Sequence, residues 1–320
     1  MNKHKISVVV PVYNVEDYIL DCIESLVNQA CDDFEVIFVD DCGKDNSVSI
    51  IKQNLHRLKE ASIYTRASNG GLSAARNSGI RASTGDYVLF VDSDDYLTNN
   101  AISLFYESIN KRDFDVVVSS YTKIPGNKCC HNSVNGIVWG NKKIRNAYYS
   151  NRIIVPAWNK LIKKEFLLTN NLLFKEGIIH EDVLWSFMIM TTAESLYSIE
   201  NTTYVYRVRE NSIMTRGYGM KNISSLIAIL YEIKKWIDKD NRIIAKYYNK
   251  KLLEFSLTIY QRAKKDDFSL YYRMVQHNNS LVFYPSLSFM INYLLLKSHS
   301  FISNSIIAFL LKTKFKYLCR

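Results

Sequence analysis

The chain has 320 residues, of which 48% are hydrophobic and 13% aromatic, so it can bury a large core and is not globally disordered. Its 11 Gly and 4 Pro exclude a collagen-like or low-complexity chain. The net charge of +10 is uneven, because residues 221–320 contain 17 Lys and Arg against 6 Asp and Glu. This basic C-terminal third favours an anionic partner such as nucleic acid, a membrane surface or an acidic protein.

The cysteines and the N-terminus both predict a reducing, cytoplasmic location. The six cysteines form no Cys-x-x-Cys pair and have no metal-binding spacing. The apolar run near the N-terminus is too short for a signal peptide and leads directly into a strand-turn pattern.

The first hundred residues alternate between β-branched apolar runs and amphipathic segments. Strands are predicted at 6–12, 34–39, 61–65 and 86–91. Helices are predicted at 19–27, 48–58 and 72–83. A β-α-β alternation of this kind predicts a mostly parallel central sheet, and hence an α/β fold.

The remainder of the chain changes character twice. Between about 100 and 220, FDVVVSSY and SLYSI…TYVYRV favour strands, whereas NKLIKKEFLLTN and EDVLWSFMIMTTA favour helices. After Met220 the pattern is helical and basic. The sequence therefore predicts one domain over 1–218 and a helical, basic region over 219–320.

Polar residues follow each of the first four predicted strands. They are Tyr13-Asn14, Asp40-Asp41, Asn69 and the run from Asp92 to Asp95. Ligands of open α/β sheets bind beyond the carboxyl ends of the strands, so these residues predict a site.

Asp92 and Asp94 form an Asp-x-Asp pair directly after a buried strand. Carboxylate oxygens suit Mg²⁺ or Mn²⁺, and such ions share the phosphate oxygens of a substrate. The alternative is an acidic turn exposed to solvent. The polar residues at the ends of the other three strands favour a metal site over this alternative.

Three further candidates have both a functional and a structural interpretation. Asp40 with Asp41 fits recognition of a nucleoside or the capping of the next helix. The Tyr13 ring is suited to stacking on a nucleobase; the alternative is an aromatic side chain that packs in the core or at the edge of the sheet. Arg76 is suited to binding a phosphate or a base carbonyl; the alternative is an arginine on the surface of a helix.

Glu181 and Asp182 follow His180 at the start of a predicted helix. Acidic residues are favourable at a helix N-terminus through the dipole alone. The functional alternative is a general base at the mouth of the site. His180 is not part of a His-Glu-x-x-His motif, so it does not indicate a zinc site.

Seven blocks of the chain, in order over about residues 5–216, resemble the inverting family 2 glycosyltransferases with a GT-A fold. They are VVVPVYNVEDYILDCIESLVNQ, FEVIFVDDCGKDNS, NGGLSAARNSGI, GDYVLFVDSDDYL, PAWNKLIKKEFL, GIIHEDVLWSF and VYRVRENSIMTR. The later blocks are similar to members that build bacterial polysaccharides. Cys42 stands where the family usually has Gly in an Asp-Asp-Gly-Ser turn, which makes that backbone less permissive.

The resemblance implies roles for matching residues. For the nucleotide sugar these are Pro11, Tyr13, Asp40, Asn69, Arg76, Asp92 and Ser93. Asp94 with Asp92 would hold Mn²⁺ or Mg²⁺, and Asp182, supported by Glu181, would be the base. Trp158 would lie near the acceptor, and Arg207 and Ser212 near the pyrophosphate.

The implied reaction moves a hexosyl or N-acetylhexosaminyl group from a nucleotide-sugar donor, and we expect this donor to be a UDP-sugar. The acceptor would be a glycan or a lipid-linked hydroxyl in capsule, O-antigen or lipopolysaccharide synthesis. The QxxRW motif of processive relatives is missing, which favours one sugar per encounter. The alternatives are a sugar nucleotidyltransferase, which usually carries a Gly-rich phosphate loop that PVYNVEDY lacks, and a non-catalytic nucleotide-sugar-binding protein.

The resemblance does not extend to the C-terminal third. Residues 281–296 are apolar but shorter than the roughly 20 residues of a membrane span. Apolar positions over 301–318 interleave with Lys312, Lys314 and Lys316, which predicts an interfacial helix on the inner face of the cytoplasmic membrane. The alternative is a helical cap on the catalytic domain. No nucleic-acid motif is present, so nucleic acid is not the expected partner.

Overall fold

The computed structural model describes residues 5–209, 218–237 and 242–262. The chain divides into two compact units, Met1–Thr215 and Arg216–Arg320.

The first unit begins with a parallel β-α-β arrangement. Its elements are β1 (Ile6–Val12), α1 (Ile19–Val27), β2 (Phe34–Asp40), α2 (Ser47–Asn54), β3 (Ala61–Thr65), α3 (Leu72–Ala82) and β4 (Tyr87–Phe90). The strands lie side by side in the order β3-β2-β1-β4, and all three pairings are parallel. Every residue of β1, β2 and β4 is buried, as the continuous apolar runs predict for strands covered on both faces.

The second half of this unit completes a mixed sheet. Its elements are β5 (Tyr96–Leu97), α4 (Ala101–Lys111), β6 (Val116–Ile124), β7 (Lys128–Cys130), β8 (Gly136–Trp139), α5 (Asn141–Tyr149), β9 (Lys160–Lys163), α6 (Lys164–Thr169), α7 (Glu181–Thr192) and β10 (Ser195–Arg207). The sheet order is β3-β2-β1-β4-β9-β6-β10-β5, with β7 beside β6 and β8 beside β10. Strand β9 is antiparallel to both of its neighbours, whereas β6 and β10 are parallel. The predicted α/β fold class is confirmed.

Two predicted elements differ from the structure. The segment NKLIKKEFLLTN, predicted as one helix, instead forms β9 followed by the short helix α6. The helical spacing of its apolar residues is overridden because β4 and β6 hydrogen-bond to β9 on both sides. The predicted helix over 48–58 ends at Asn54 and continues as a single 3₁₀ turn over Leu55–Arg57.

The second unit is helical where the structure describes it. It contains α8 (Met220–Lys235) and α9 (Arg242–Arg262), which contact one another. Helix α8 buries Ile223, Leu226, Ile229, Leu230 and Ile233 on one face, at the spacing of an amphipathic helix. Among the described residues, no helix is both long and apolar enough to cross a membrane. The predicted interfacial helix over 301–318 lies outside the described residues.

Candidate active site

The polar segments after β1, β2 and β4 meet at one edge of the parallel half of the sheet. Pro11 is buried within β1, and Tyr13, just beyond that strand, is 49% exposed. Asp40 is the last residue of β2, and the run from Asp92 to Asp95 follows β4. The edge therefore carries the exposed aromatic and the carboxylates that the sequence places there.

Asp40 and Asp41 shape the loop that follows β2. One oxygen of Asp40 accepts hydrogen bonds from the backbone N–H groups of Cys42 and Gly43, at 3.0 and 3.3 Å. Asp41 accepts from the N–H groups of Gly70 and Gly71, at 3.0 and 2.8 Å, and pairs with Arg66. Asp41 thereby ties the end of β2 to the start of α3.

Asn69 and Cys42 complete the same loop region. The side-chain amide of Asn69 donates to the Asp41 carbonyl at 2.9 Å, so the structure gives this predicted nucleotide contact a role in the loop. Cys42 has a φ of 60°, in the left-handed region that favours glycine. Its Sγ donates to the Arg66 carbonyl at 3.1 Å, a contact that glycine would lack.

Arg76 is buried and pairs with two carboxylates. It is 2% exposed, and its two terminal nitrogens donate to Asp92 and Glu181, each at 2.7 Å. Burial acts to lower the pKa of the guanidinium, but the Asp92 and Glu181 carboxylates outweigh burial and raise that pKa, so the group stays charged. Arg76 thus joins the carboxylate after β4 to the one that begins α7, and its contact with a phosphate stays a prediction.

Close packing of α3 explains why Arg76 is buried. A Cβ added at Gly79 would come within 2.2 Å of a methyl group of Val9, so only glycine permits this approach of α3 to β1. The guanidinium also lies 5.2 Å from the ring centre of Phe174 and 5.8 Å from that of Phe90. Aromatic faces and two carboxylates together stabilise the buried cation.

Asp92 and Asp94 provide oxygen ligands of the kind a divalent cation takes. Burial, and then the charge of Asp92, raise the pKa of Asp94, which indicates two carboxylates near one another. Arg209, just beyond β10, donates through Nε to Asp94 at 2.6 Å and supplies a positive charge there. No group of three or more potential metal-ligating side chains occurs among the described residues. Two carboxylates supply only part of the coordination of a Mg²⁺ or Mn²⁺ ion, and water and substrate phosphate oxygens usually supply the rest.

Ser93 and Asp95 belong to the same turn, and both are buried. Asp95 accepts hydrogen bonds from the Tyr204 hydroxyl at 2.7 Å and from the Arg207 backbone N–H at 2.8 Å. The Tyr204 hydroxyl in turn accepts from the backbone N–H of Asp92, at 3.1 Å. Burial and the neighbouring Asp94 raise the pKa of Asp95 well above its usual range. Asp95 and Tyr204 therefore anchor the Asp92–Asp94 turn to β10.

Trp158 lies just before β9, and Arg207 is the last residue of β10. Trp158 is 7% exposed and stacks on Tyr204, with ring centres 4.1 Å apart, so it packs inside the protein and offers no open face to a sugar. Arg207 donates to Asp21 at 2.6 Å and lies over the ring of Tyr18. Ser212 lies outside the described residues.

Glu181 and Asp182 begin α7, and their environments differ. Glu181 is buried against Arg76, and burial raises its pKa to about 7 despite that cation. Asp182 is half-buried, and its carboxylate favours the charged forms of both Arg76 and Lys160. Asp182 is thus the more accessible carboxylate, near two buried cations.

The raised pKa of Glu181 predicts a pH-dependent contribution to stability. A carboxyl whose pKa is higher in the folded state binds a proton on folding, so its contribution is complete below pH 4.5 and is lost as the pH rises through about 7. Compared with Glu181→Gln, the wild type should lose relative stability over that window. Urea unfolding of both proteins from pH 4.5 to 8 measures the difference, and a pH-independent difference contradicts it.

Sequence reasoning missed Arg66 and Arg209, and it included Asp95 in the polar run after β4 without giving that residue a role of its own. The pattern carries a signal for Asp95 alone, as the fourth residue of Asp92-Ser93-Asp94-Asp95 after a buried strand. The two arginines reach their carboxylates only through the folded chain, from positions 25 and 115 residues away in sequence.

Comparisons with known proteins identify the family and agree with this fold. Residues 7–167 match the family described as glycosyl transferase family 2. The chain is 31% identical over 239 residues to glycosyltransferase GlyA of Streptococcus pneumoniae, a match that covers 71% of this chain but 34% of GlyA. It is 40% identical over 125 residues to a poly(ribitol-phosphate) beta-glucosyltransferase of Bacillus spizizenii, covering 38% of this chain and 20% of that protein.

A solved structure shares the fold. The crystal structure of S. aureus TarS 1-349 in complex with UDP-GlcNAc superposes with a TM-score of 0.70 and 24% identity. The match covers 82% of this chain and 77% of that one. The family match includes β1 to β4, the Asp92–Asp94 turn and β9, and so spans half of the chain. This protein is therefore a member of glycosyl transferase family 2.

Proposed function

We propose that the protein is an inverting glycosyltransferase that moves a hexosyl or N-acetylhexosaminyl group from a UDP-sugar to a hydroxyl of a glycan or lipid-linked acceptor. The observation that carries the proposal is the bridge made by Arg76, which binds Asp92 on one side and Glu181 on the other. It joins the carboxylate turn after β4 to the helix start that carries Asp182. A site for a diphosphate and a candidate base thus belong to one connected cluster.

The donor half of the reaction is assigned to the sheet edge. Tyr13 offers an exposed ring for a base, and Asp40 lies beside it at the end of β2. We assign Asp92 and Asp94 to a divalent cation, which would neutralise charge on the diphosphate leaving group. Arg209, paired with Asp94 in the ligand-free chain, provides a second positive charge on this side.

The acceptor half is assigned to the start of α7. Asp182 accepts the proton of the acceptor hydroxyl while that oxygen attacks the anomeric carbon. The bond from the anomeric carbon to the diphosphate breaks in the same displacement, its electron pair leaves with the nucleotide, and the configuration inverts. Glu181 is held by Arg76 and has a supporting role.

The relatives favour a role in synthesis of a bacterial surface polysaccharide. The name of the B. spizizenii relative specifies a poly(ribitol-phosphate) acceptor, and the TarS title specifies bound UDP-GlcNAc. Both describe those proteins, and they support a nucleotide-sugar donor and a polymer or lipid-linked acceptor for this one. We assign the catalytic domain to residues 1–218 and the helical basic region to 219–320.

A donor screen tests the proposed function. The full chain is incubated with Mn²⁺ and a panel of UDP-sugars, and UDP release and thermal stabilisation are recorded. At least one UDP-sugar should raise the melting temperature and release UDP, and EDTA should abolish the release. Formation of a nucleotide sugar from UTP and a sugar 1-phosphate, without UDP release from any donor, would favour a nucleotidyltransferase instead.

The basic C-terminal region predicts attachment to an anionic membrane surface at the cytoplasmic face. Each Lys or Arg near such a surface contributes roughly 1 kcal/mol, and salt weakens the attraction. In flotation assays, the full chain should float with vesicles containing anionic phospholipid and remain at the bottom with neutral ones. Equal behaviour with both vesicle types contradicts the prediction and leaves the region as a helical cap.

A further inference from the structure

Lys160, at the start of β9, is a fully buried lysine that the mechanism above does not use. It has 0% exposure, and its Nζ lies 2.7, 3.2 and 2.5 Å from the carbonyl oxygens of Ile154, Val155 and Pro156. The side-chain oxygen of Asn159 lies 2.8 Å away. We call these four oxygens the carbonyl cage.

The cage favours a protonated lysine. All four neighbouring atoms are acceptors, and only an ammonium group brings three N–H donors to them. Burial lowers the pKa of Lys160 to about 7, and the nearby Asp182 carboxylate opposes that effect. A buried cation surrounded by carbonyl and amide oxygens, with no carboxylate among them, is costly for stability.

The cage belongs to a short segment, residues 154–159, that touches both halves of the site. The hydroxyl of Ser186 on α7 also donates to the Val155 carbonyl, five residues beyond the helix start that carries Glu181 and Asp182. On the other side, Asn159 donates to the Ser119 carbonyl of β6 at 2.8 Å. The segment is thereby tied to β9, α7 and β6.

Trp158 connects this segment to the donor side. Its indole stacks on Tyr204 with ring planes 12° apart, and the Tyr204 hydroxyl binds both Asp95 and the Asp92 backbone. A shift of residues 154–159 therefore moves the support of the Asp92–Asp94 turn and the contact with α7 together.

We propose that Lys160 is a positioning residue whose ammonium group fixes residues 154–159 and so sets the placement of Asp182 relative to the Asp92–Asp94 turn. The effect of Lys160 on the placement of Asp182 for catalysis rests on the proposed glycosyl transfer, whereas its effect on residues 154–159 does not. Misplacement of reacting groups by about 1 Å costs on the order of 100-fold in rate, so loosening the segment should be visible in turnover.

The test compares Lys160→Met with Lys163→Met in the full chain. Both residues lie on β9, but Lys163 is partly exposed and pairs with Asp113 at 2.6 Å and Glu165 at 3.3 Å. Methionine keeps the length of the lysine stem without its donors, so the four oxygens of the carbonyl cage lose their common partner. Lys163→Met is the matched control, since exposed ion pairs contribute little.

Amide hydrogen exchange is the first measurement, because it needs no substrate. Lys160→Met should lose protection over residues 154–159 and the first turn of α7, and Lys163→Met should match the wild type there. The second measurement is hydrolysis of the UDP-sugar found in the donor screen, with UDP affinity alongside. For Lys160→Met, kcat should fall about 10- to 100-fold, and UDP affinity should fall by a smaller factor, because the Asp92–Asp94 turn loses only part of its support.

Unchanged protection over residues 154–159 in Lys160→Met overturns the proposal, whatever the activity. Normal kcat with lost protection overturns the catalytic part. If Lys160→Met does not fold, Lys160→Gln, which retains two N–H donors, should show intermediate protection; wild-type protection in that variant contradicts the proposal. Absence of both UDP release and thermal stabilisation with every UDP-sugar, with and without acceptor, counts against the proposed function alone, because the exchange measurement still tests the carbonyl cage.

Discussion

Asp182→Asn should lower turnover by about 10² to 10⁴ while leaving UDP affinity nearly unchanged, because the substitution keeps the shape of the side chain and removes its ability to accept a proton. Asp182 is half-buried at the start of α7, and its charge acts on Arg76 and Lys160. The measurement is UDP release with a competent UDP-sugar and acceptor, together with calorimetric titration of UDP for each protein.

Two matched variants sharpen this experiment. Asp32→Asn makes the same chemical change at an exposed residue before β2, at the other end of the strands, and should behave as the wild type. Glu181→Gln alters the neighbouring carboxyl, which is buried against Arg76, and should reduce turnover less than Asp182→Asn. If Glu181→Gln is the more damaging substitution, or if Asp182→Asn keeps near wild-type turnover, Asp182 is not the base.

Asp94→Ala should abolish the metal-dependent part of UDP binding. Asp92 and Asp94 are half-buried in the turn after β4, the charge of Asp92 acts on Asp94, and removing Asp94 leaves a single protein carboxylate for the cation. Calorimetry with UDP in Mn²⁺ and in EDTA measures the effect, and circular dichroism checks that the fold is intact. Wild-type affinity in Asp94→Ala, or equal UDP affinity with and without metal in the wild type, contradicts the assignment.

Arg209→Ala is the matched control for this prediction. It removes the cation paired with Asp94 but leaves both carboxylates in place. UDP binding by this variant should still depend on Mn²⁺, even if its overall affinity falls. Loss of the metal dependence in Arg209→Ala would mean that the arginine, and not the Asp94 carboxylate, carries the effect.

The parallel half of the sheet and its polar edge were predictable because their signals are local. Strands β1, β2 and β4 are buried on both faces, so nearly every residue is apolar and the run stands out in the sequence. Polar residues at the ends of such strands meet at one edge whatever the details of packing. Tyr13, Asp40, Asp92 and Asp94 were found in this way.

The contacts made by individual side chains were not predictable, because they depend on distant parts of the chain. An arginine in a helical segment is ordinarily expected on the surface. Arg76 is buried because α3 approaches β1 closely at Gly79. Lys160 lies in a segment whose spacing favours a helix, and only pairing of β9 with β4 and β6 buries it. Trp158 is covered by Tyr204, which is 46 residues further along the chain.

The stereochemistry of the product tests the central claim, a single displacement at the anomeric carbon assisted by one base, most directly. The full chain is supplied with an α-configured UDP-sugar, Mn²⁺ and an acceptor, and the anomeric proton of the first product is followed by nuclear magnetic resonance. A single displacement predicts a β-linked product, and Asp182→Asn should form the same product more slowly. An α-linked product would contradict the account, since retention requires a different arrangement of catalytic groups.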